Sequence, residues 1–463
     1  MLPSALPLQR EVLHSGKTRP LAARLAALKN LRRFLTKEEE AILQALHDDL
    51  GKPAIEAFAA EIGMVLGEID YALENAGRWM ASESAPTPWA SWPARTEIRR
   101  EPRGNVLILS PWNYPLFLSL APAVGALACG NTVMLKPSES APATERLLAT
   151  ALPRYFPPEL FAVATGDASV AKELLAEPWG LIVFTGGTST GKAVMAQAAS
   201  TLSPVLLELG GQNPTVIAAD ADPMVSARRI LWGKGFNAGQ TCLAPDHLWV
   251  HASIKDRFLE CAASVLGDFY GANPFMNPEF GRLINDRHFG KVKSMLDAGI
   301  AAGARIVHGG RSDAASRKME VTLLDCPAEA NPALAEENFG PILPVLTWED
   351  PDRLARSLRS RPAPLGLYVF TRNRAFFERL AASVPSGAAV QNGVFSQILS
   401  PELPFGGVGG SGFGRYRGDA NASAFSVTRP VIRRGLIPDI TVQNPPMRLG
   451  LGVFKRLMPW MLR

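Results

Sequence analysis

Val106-Leu107-Ile108-Leu109-Ser110-Pro111-Trp112-Asn113 is an apolar run that stops at a polar turn, and the same unit recurs at Val133–Leu135, Phe161–Ala164 and Leu181–Phe184. Between these runs lie helix-length stretches bordered by Pro, Gly and Ser. Short apolar runs alternating with helical segments predict an α/β fold, a parallel sheet wrapped by helices. Such sheets bind ligands at the carboxyl ends of their strands, and the residues able to do chemistry fall just after these runs.

Upstream, Leu21, Leu25, Leu28, Leu31 and Leu35, then Ile42, Leu43, Leu46 and Leu50, recur at spacings of three and four and predict two amphipathic helices. Thr36 with Glu39 reads as a capping box opening the second, and Gly51-Lys52-Pro53 closes it. Leu116–Cys129 is apolar but too short to span a bilayer, and it contains Pro122, so it reads as a buried helix. Downstream, Gly210 to Leu403 forms a second α/β stretch with Thr215–Ile217, His247–Val250 and Tyr368–Phe370 as strands, read as a separate catalytic lobe. Pro-rich joints appear at Ala85–Pro93 and Gln443–Met447.

A chain of 463 residues exceeds one compact core and implies two or three domains. With 47% hydrophobic and 20% charged residues it is a folded protein. The net charge of +5 comes from scattered Lys and Arg without basic runs, which argues against a nucleic-acid partner. Cys129, Cys242, Cys261 and Cys326 form no CxxC pair and have no His at zinc-ligand spacing, so neither a disulfide framework nor a metal site is expected. The N-terminus lacks the apolar core of a signal peptide, and a cytoplasmic, soluble protein is expected.

Gly239-Gln240-Thr241-Cys242 would present a thiol on a tight turn between a helical segment and the strand at His247. A nucleophilic cysteine needs such presentation and a lowered pKa, although a lone cysteine is more often a small buried hydrophobe. Val205–Gly211 places Glu208 at the end of an apolar strand, where desolvation raises a carboxyl pKa and suits it to general-base work; a structural carboxylate tied to backbone amides is the competing reading. Asn113, after the Val106 strand, is an amide donor for an oxyanion or a helix cap. Lys136-Pro137-Ser138-Glu139 offers a cation and a carboxylate to the hydroxyls of a ribose, or forms a solvated turn. Phe184–Gly191 runs from strand through Gly-rich turn to helix, an arrangement that can receive a pyrophosphate, without matching G-x-G-x-x-G. The literal match at Gly407–Gly412 lacks a preceding strand and a following apolar helix, and reads as a decoy.

PWN at Pro111–Asn113, KPSE at Lys136–Glu139, FTGGTSTG at Phe184–Gly191, LELGG at Leu207–Gly211, GQTC at Gly239–Cys242, EENFGP at Glu336–Pro341 and PFGG at Pro404–Gly407 together, in this order, resemble the aldehyde dehydrogenase superfamily across nearly the whole chain. The short N-terminus and the PFGGVGGSGFG ending look most like its class 3 branch, which acts on medium-chain aliphatic and aromatic aldehydes. The resemblance implies a cofactor-binding domain over 1–209, interrupted by a bridging strand near 94–103, a catalytic domain over 210–403, a return and bridging segment over 404–440, and a tail over 441–463. It implies NAD or NADP as cofactor, an aldehyde as substrate, and a homodimer joined through Thr96–Glu101 and Ala424–Arg434.

Carried over by resemblance, Cys242 is the nucleophile, Glu208 the general base, and Asn113 the oxyanion donor, together with the Cys242 amide. Trp112, Lys136 and Glu139 would contact the cofactor, the last two at its adenosine ribose; Gly186, Gly187, Thr188 and Gly191 would form the pyrophosphate turn, and Glu337 and Phe339 would hold the nicotinamide ribose and ring. The thiolate adds to the aldehyde, hydride leaves, and Glu208-activated water releases the acid from a thioester. Three features depart from the family pattern: Gln212 in place of Lys, Asn338 in place of a β-branched aliphatic residue, and Asn392–Gln397 where the class 3 branch often carries a His. A CoA-acylating dehydrogenase and a Cys-dependent hydrolase or acyltransferase without redox chemistry are the rivals; a non-catalytic relative is a third. The tail Met447–Arg463 sets Leu449, Leu451, Val453, Phe454, Leu457, Trp460 and Leu462 beside Arg448, Lys455, Arg456 and Arg463. Packing on a partner subunit is the expected role, with peripheral contact to an anionic membrane as the alternative.

Overall fold

The computed structural model describes residues 2–436, 444–446 and 450–461. Five parallel strands order as Val205–Leu209, Leu181–Gly186, Asn105–Leu109, Thr132–Lys136 and Phe161–Val163, with Gly412–Phe413 added antiparallel at the Val205 edge. The first strand in sequence therefore lies in the middle, and the chain winds outward from it in both directions. At the switch between Asn105–Leu109 and Leu181–Gly186 the two following loops diverge, which opens a crevice at the strands' carboxyl ends. The four expected apolar runs are all strands of this sheet. Asn105–Leu109 and Thr132–Lys136 are buried along their whole length, as strands covered on both faces must be.

A second sheet orders Arg305–His308, Thr322–Asp325, Ile342–Trp348, His247–His251, Pro214–Ile217, Gly366–Phe370 and Ala388–Gln391, parallel except at the Arg305 edge. A third, three-stranded sheet pairs Glu83–Ala85 with Ala94–Pro102 and Ala94–Pro102 with Ser426–Arg434, both antiparallel. The two segments expected to form the bridge thus pair with each other, leaving Ser426–Arg434 as an open edge with mostly exposed side chains.

The two expected N-terminal helices are Leu21–Lys37 and Glu39–Leu50, and Gly51 ends the second with a left-handed φ of 63°. The capping box is corrected: Thr36 lies inside the first helix, where its hydroxyl donates to the Arg32 and Arg33 carbonyls. Glu38 precedes the second helix, with no side-chain cap. Acidic Glu39 and Glu40 in the first turn suit the helix dipole instead. Phe117–Ala128 is a helix buried on every side despite Pro122.

The tail forms a helix over Leu451–Met461, its Trp460 ring 5.6 Å from that of Trp89. Met447, Arg448, Leu449, Leu462 and Arg463 lie outside the described residues. Among the described residues, no helix is long and apolar enough to cross a membrane.

Candidate active site

The turn that leads to Cys242 follows the helix Pro223–Gly235. Asn237, Ala238 and Gly239 take left-handed φ values of 51°, 51° and 76° in succession, which reverses the chain within three residues. Glycine is required at 239, where a Cβ would sit 2.2 Å from the Gly340 carbonyl oxygen. The side chains of the turn tie it down. Asn237 Nδ2 donates to the carbonyls of Asn113 and Gln240 (2.9 and 3.0 Å), and Gln240 Nε2 donates to the carbonyls of Asn237 and Arg282. Asn213 Nδ2 donates to the Cys242 carbonyl at 2.7 Å.

Cys242 lines two cavities. One, of about 470 Å³, is bounded by the ends of the first sheet at Pro111–Asn113 and Thr185–Ser189, by Glu208 and by Glu336, Glu337 and Phe339 across the gap. The other, of about 170 Å³, is walled by Met64, Phe117, Leu118, Trp232, Phe236 and Phe395. Its hydroxyls at Tyr114 and Thr241 bond to each other at 2.6 Å.

Glu208 is 2% exposed, and neither carboxylate oxygen has a hydrogen-bond partner among the described residues. Burial raises its pKa well above the carboxylate range, weakly opposed by Arg415. An unpaired buried carboxyl is costly to keep for structure alone, which favours the base reading over the tied-carboxylate one. Burial also pushes up the Cys242 thiol, reinforced by the Glu337 and Glu208 carboxylates and opposed by the amides of Cys242 and Leu243. The lowered pKa expected of this thiol is therefore absent: two carboxylates face the sulfur in a desolvated setting. Those same two amides are the donors available to a charge developing there.

Asn113 is 3% exposed and its Nδ2 donates to the Gln240 carbonyl at 3.0 Å, placing the amide against the nucleophile turn. Trp112 packs edge-on to Phe339 with ring centroids 5.4 Å apart. Lys136 Nζ donates to Glu139 Oε2 at 2.5 Å beyond the neighbouring strand, outside the lining of the larger cavity. Gly186, Gly187 and Thr188 line that cavity at the start of the helix Thr188–Ala199, and a Cβ on Gly187 would meet no described atom within 4 Å. Gly191 has another job: its amide donates to the Gly187 carbonyl inside the helix, and its bare Cα admits Leu209, whose Cδ2 would lie 2.5 Å from an added Cβ. Glu337 is raised to about 8 by burial and by Asp246, and eased by the Gly211 amide. The decoy at Gly407–Gly412 forms a short turn and the strand beside Glu208, with no helix N-terminus for a phosphate.

Three neighbours carried no sequence signal. His288 Nε2 lies 2.8 Å from the Phe339 carbonyl, its ring packs on Trp112, and burial lowers its pKa to about 4. Lys291 pairs with Glu336 at 3.0 Å on the cavity rim. Phe395, in the segment that departs from the class 3 pattern, takes φ 64° and turns its ring toward Trp232 at 5.5 Å. The departure Asn338 is no passive replacement either: its Oδ1 accepts from the buried Lys234 and its amides donate to Asp246.

A doubly wound sheet whose switch-point crevice opens onto a thiol and a buried carboxyl is an arrangement found in enzymes that bind a dinucleotide. The chain belongs to the aldehyde dehydrogenase family, whose model matches residues 5–431. It is 40% identical over 452 residues to aldehyde dehydrogenase family 3 member H1 of Arabidopsis thaliana, covering 97% of this chain and 93% of that one. It is 42% identical to the 4,4'-diapolycopene-4,4'-dial dehydrogenase of Cytobacillus firmus, over 90% of this chain and 91% of the other. A substrate-bound structure of AldH from Staphylococcus aureus superposes with a TM-score of 0.95 at 34% identity, over 99% of each chain. The activity is NAD(P)-dependent oxidation of an aldehyde, and neither rival reaction is favoured by these relatives.

Proposed function

We propose that the substrate is an uncharged aldehyde with a long or aromatic apolar body, oxidised to the acid at Cys242. The observation that carries this is the position of Cys242 between the apolar cavity and the larger, polar one. The aldehyde enters through the apolar cavity, whose aromatic walls reward burial of hydrocarbon and penalise charge. The Cytobacillus firmus relative, named for a dialdehyde, agrees with this reading.

The polar cavity suits a dinucleotide: the helix N-terminus at Gly187 and Thr188 for a pyrophosphate, Glu337 and Phe339 opposite, and Trp112 as a wall. Lys136 and Glu139 would hold the adenosine ribose. When bound, the nicotinamide supplies the hydride acceptor and a positive charge that favours the thiolate. Cys242 adds through sulfur to the carbonyl carbon, and Asn113 Nδ2 with the Cys242 amide holds the resulting oxygen. Once the thioester has formed, Glu208 takes a proton from water that attacks it, and the acid leaves with Cys242 restored.

The chain divides, in this reading, into the cofactor domain 1–209, the catalytic domain 210–403, the return and bridging segment 404–440 and the tail 441–463. The protein works in the cytoplasm as a homodimer in which the open edge Ser426–Arg434 and the tail helix meet the partner. Exposed Leu451, Val453 and Trp460 support covering of that helix. Sedimentation checks the dimer, and salt-sensitive binding to anionic vesicles, lost on deleting the tail, would assign the helix to a membrane surface instead.

Reduced-cofactor formation across an aldehyde series, with NAD and with NADP, tests the main reading. Rates should rise with apolar chain length. No activity on any aldehyde, or full activity in Cys242→Ala, would overturn it.

A further inference from the structure

The turn that presents Cys242 contains two consecutive non-glycine residues in the left-handed region, Asn237 and Ala238. Each such residue is strained and persists only where its surroundings hold it. The Asn237 amide is held from outside the turn: it donates to Glu56 Oε1 at 2.9 Å, across 181 residues of sequence. Glu56 sits on the short helix Ala54–Ala57, which runs directly into a π-helical turn over Phe58–Ile62. π-helical turns concentrate at functional sites, and this one contributes Ala59 and Ala60 to the wall of the apolar cavity, with Met64 following. One carboxylate therefore joins the substrate-cavity wall to the strained turn.

Its surroundings form a charged cluster that reaches the other site residues. Lys52 pairs with Glu61, both fully buried; Lys52 Nζ also donates to the Asn113 carbonyl at 3.0 Å and lies 4.0 Å from the Tyr114 ring centroid. Glu61 Oε2 accepts from the amides of Leu116 and Phe117 at 2.9 Å each, at the start of the buried helix. Asn237 Nδ2 shares the Asn113 carbonyl with Lys52. Displacing Asn237 thus disturbs both the sulfur and the amide that serves the oxyanion.

We propose that Glu56 is a positioning residue for the nucleophile: by holding the Asn237 amide it maintains the left-handed turn that presents Cys242, and it couples that turn to the apolar cavity wall. The proposal rests on the reading of Cys242 as nucleophile. Groups facing Glu56 are Lys52, which favours its charge, and Glu61, Tyr114 and Tyr270, with which its charge is unfavourable; burial dominates and raises its carboxyl to about 7. An ionised acceptor holds an amide more strongly than a neutral one. The grip on the turn should therefore strengthen as pH rises through neutrality.

The test measures iodoacetamide alkylation of Cys242, mapped by peptide mass spectrometry, alongside kcat and the KM for NAD in wild type, Glu56→Ala and Glu56→Gln. Glu56→Ala should slow alkylation and kcat by roughly tenfold or more, as loss of one hydrogen bond to a charged acceptor gives, with the KM for NAD unchanged. Glu56→Gln, which keeps an acceptor, should recover most of the loss. The ratio of wild-type to Glu56→Gln alkylation should climb between about pH 6 and about pH 8.5, whereas a purely structural role leaves it flat. A folded Glu56→Ala protein that labels and turns over like wild type overturns the proposal; if that variant does not fold, a flat Gln ratio does so. Full activity in Cys242→Ala would overturn the nucleophile reading instead, because labelling reports the sulfur's presentation whether or not it is catalytic.

Discussion

Both oxygens of Glu208 are buried without a partner, so its ionised form is disfavoured and its folded pKa lies above the unfolded value. A group of this kind contributes stability that is present below the unfolded carboxyl pKa and lost as pH rises through the folded one. Glu208→Gln should therefore melt higher than wild type at alkaline pH, with the difference vanishing on acidification below the ordinary carboxyl range; thermal melts across pH check this. The same variant should lose about 100-fold or more in kcat and accumulate acyl-enzyme, visible as a mass increment on Cys242. At the ribose site proposed above, the Glu139 carboxylate would repel an added 2′-phosphate, so Glu139→Gln should raise the NADP-to-NAD ratio of kcat/KM. Cys242, Glu208 and Asn113 were legible because motif order marks them. His288 and Lys291 were not: they lie in the opening turns of the helix Asp286–Ala301, and only its docking beside Glu336–Phe339 brings them to the cavity.

Elements follow local pattern wherever burial is regular. The apolar runs became strands and the leucine spacings became helices, since period alone says which face must be hidden. The capping box failed because a Thr near a helix end can donate back to its own carbonyls as readily as it caps the next helix. The short strand Gly412–Phe413 was invisible for another reason: two residues carry no period. It pairs Gly412 with Glu208, at φ 125° and with an added Cβ falling 2.0 Å from the Leu207 carbonyl. Gly412→Ala should force this strand away from Glu208, lowering kcat and the urea midpoint together, with a stability loss of about 1–3 kcal/mol in denaturation curves.

At the scale of the molecule, the two large sheets face each other with opposite ends. Pro111–Asn113 and Gly187 follow strands of the first sheet, whereas Cys242, Glu337 and Leu365 precede strands of the second. Filling the apolar cavity should be selective: Met64→Trp, at a residue that lines the apolar cavity and not the polar one, is expected to cut kcat/KM for long-chain aldehydes by about tenfold or more while sparing short ones, measured across a chain-length series. Val427 and Ile432 are 42% and 59% exposed on the open edge strand. In the homodimer proposed above, replacing both with Glu should shift the sedimentation velocity from dimer to monomer, since four like charges, two from each subunit, would be buried at a symmetric contact.

The sequence by itself determined the alternation of strand and helix, the location of the thiol, carboxylate and amide at polar turns, and the family they belong to, because these depend on residue type, period and order along the chain. Only the tertiary structure decided that the thiol is held between an apolar and a polar cavity, that its pKa rises, and that Glu56 grips its turn. Those properties depend on groups far apart in the chain that packing brings together and on the water that packing expels.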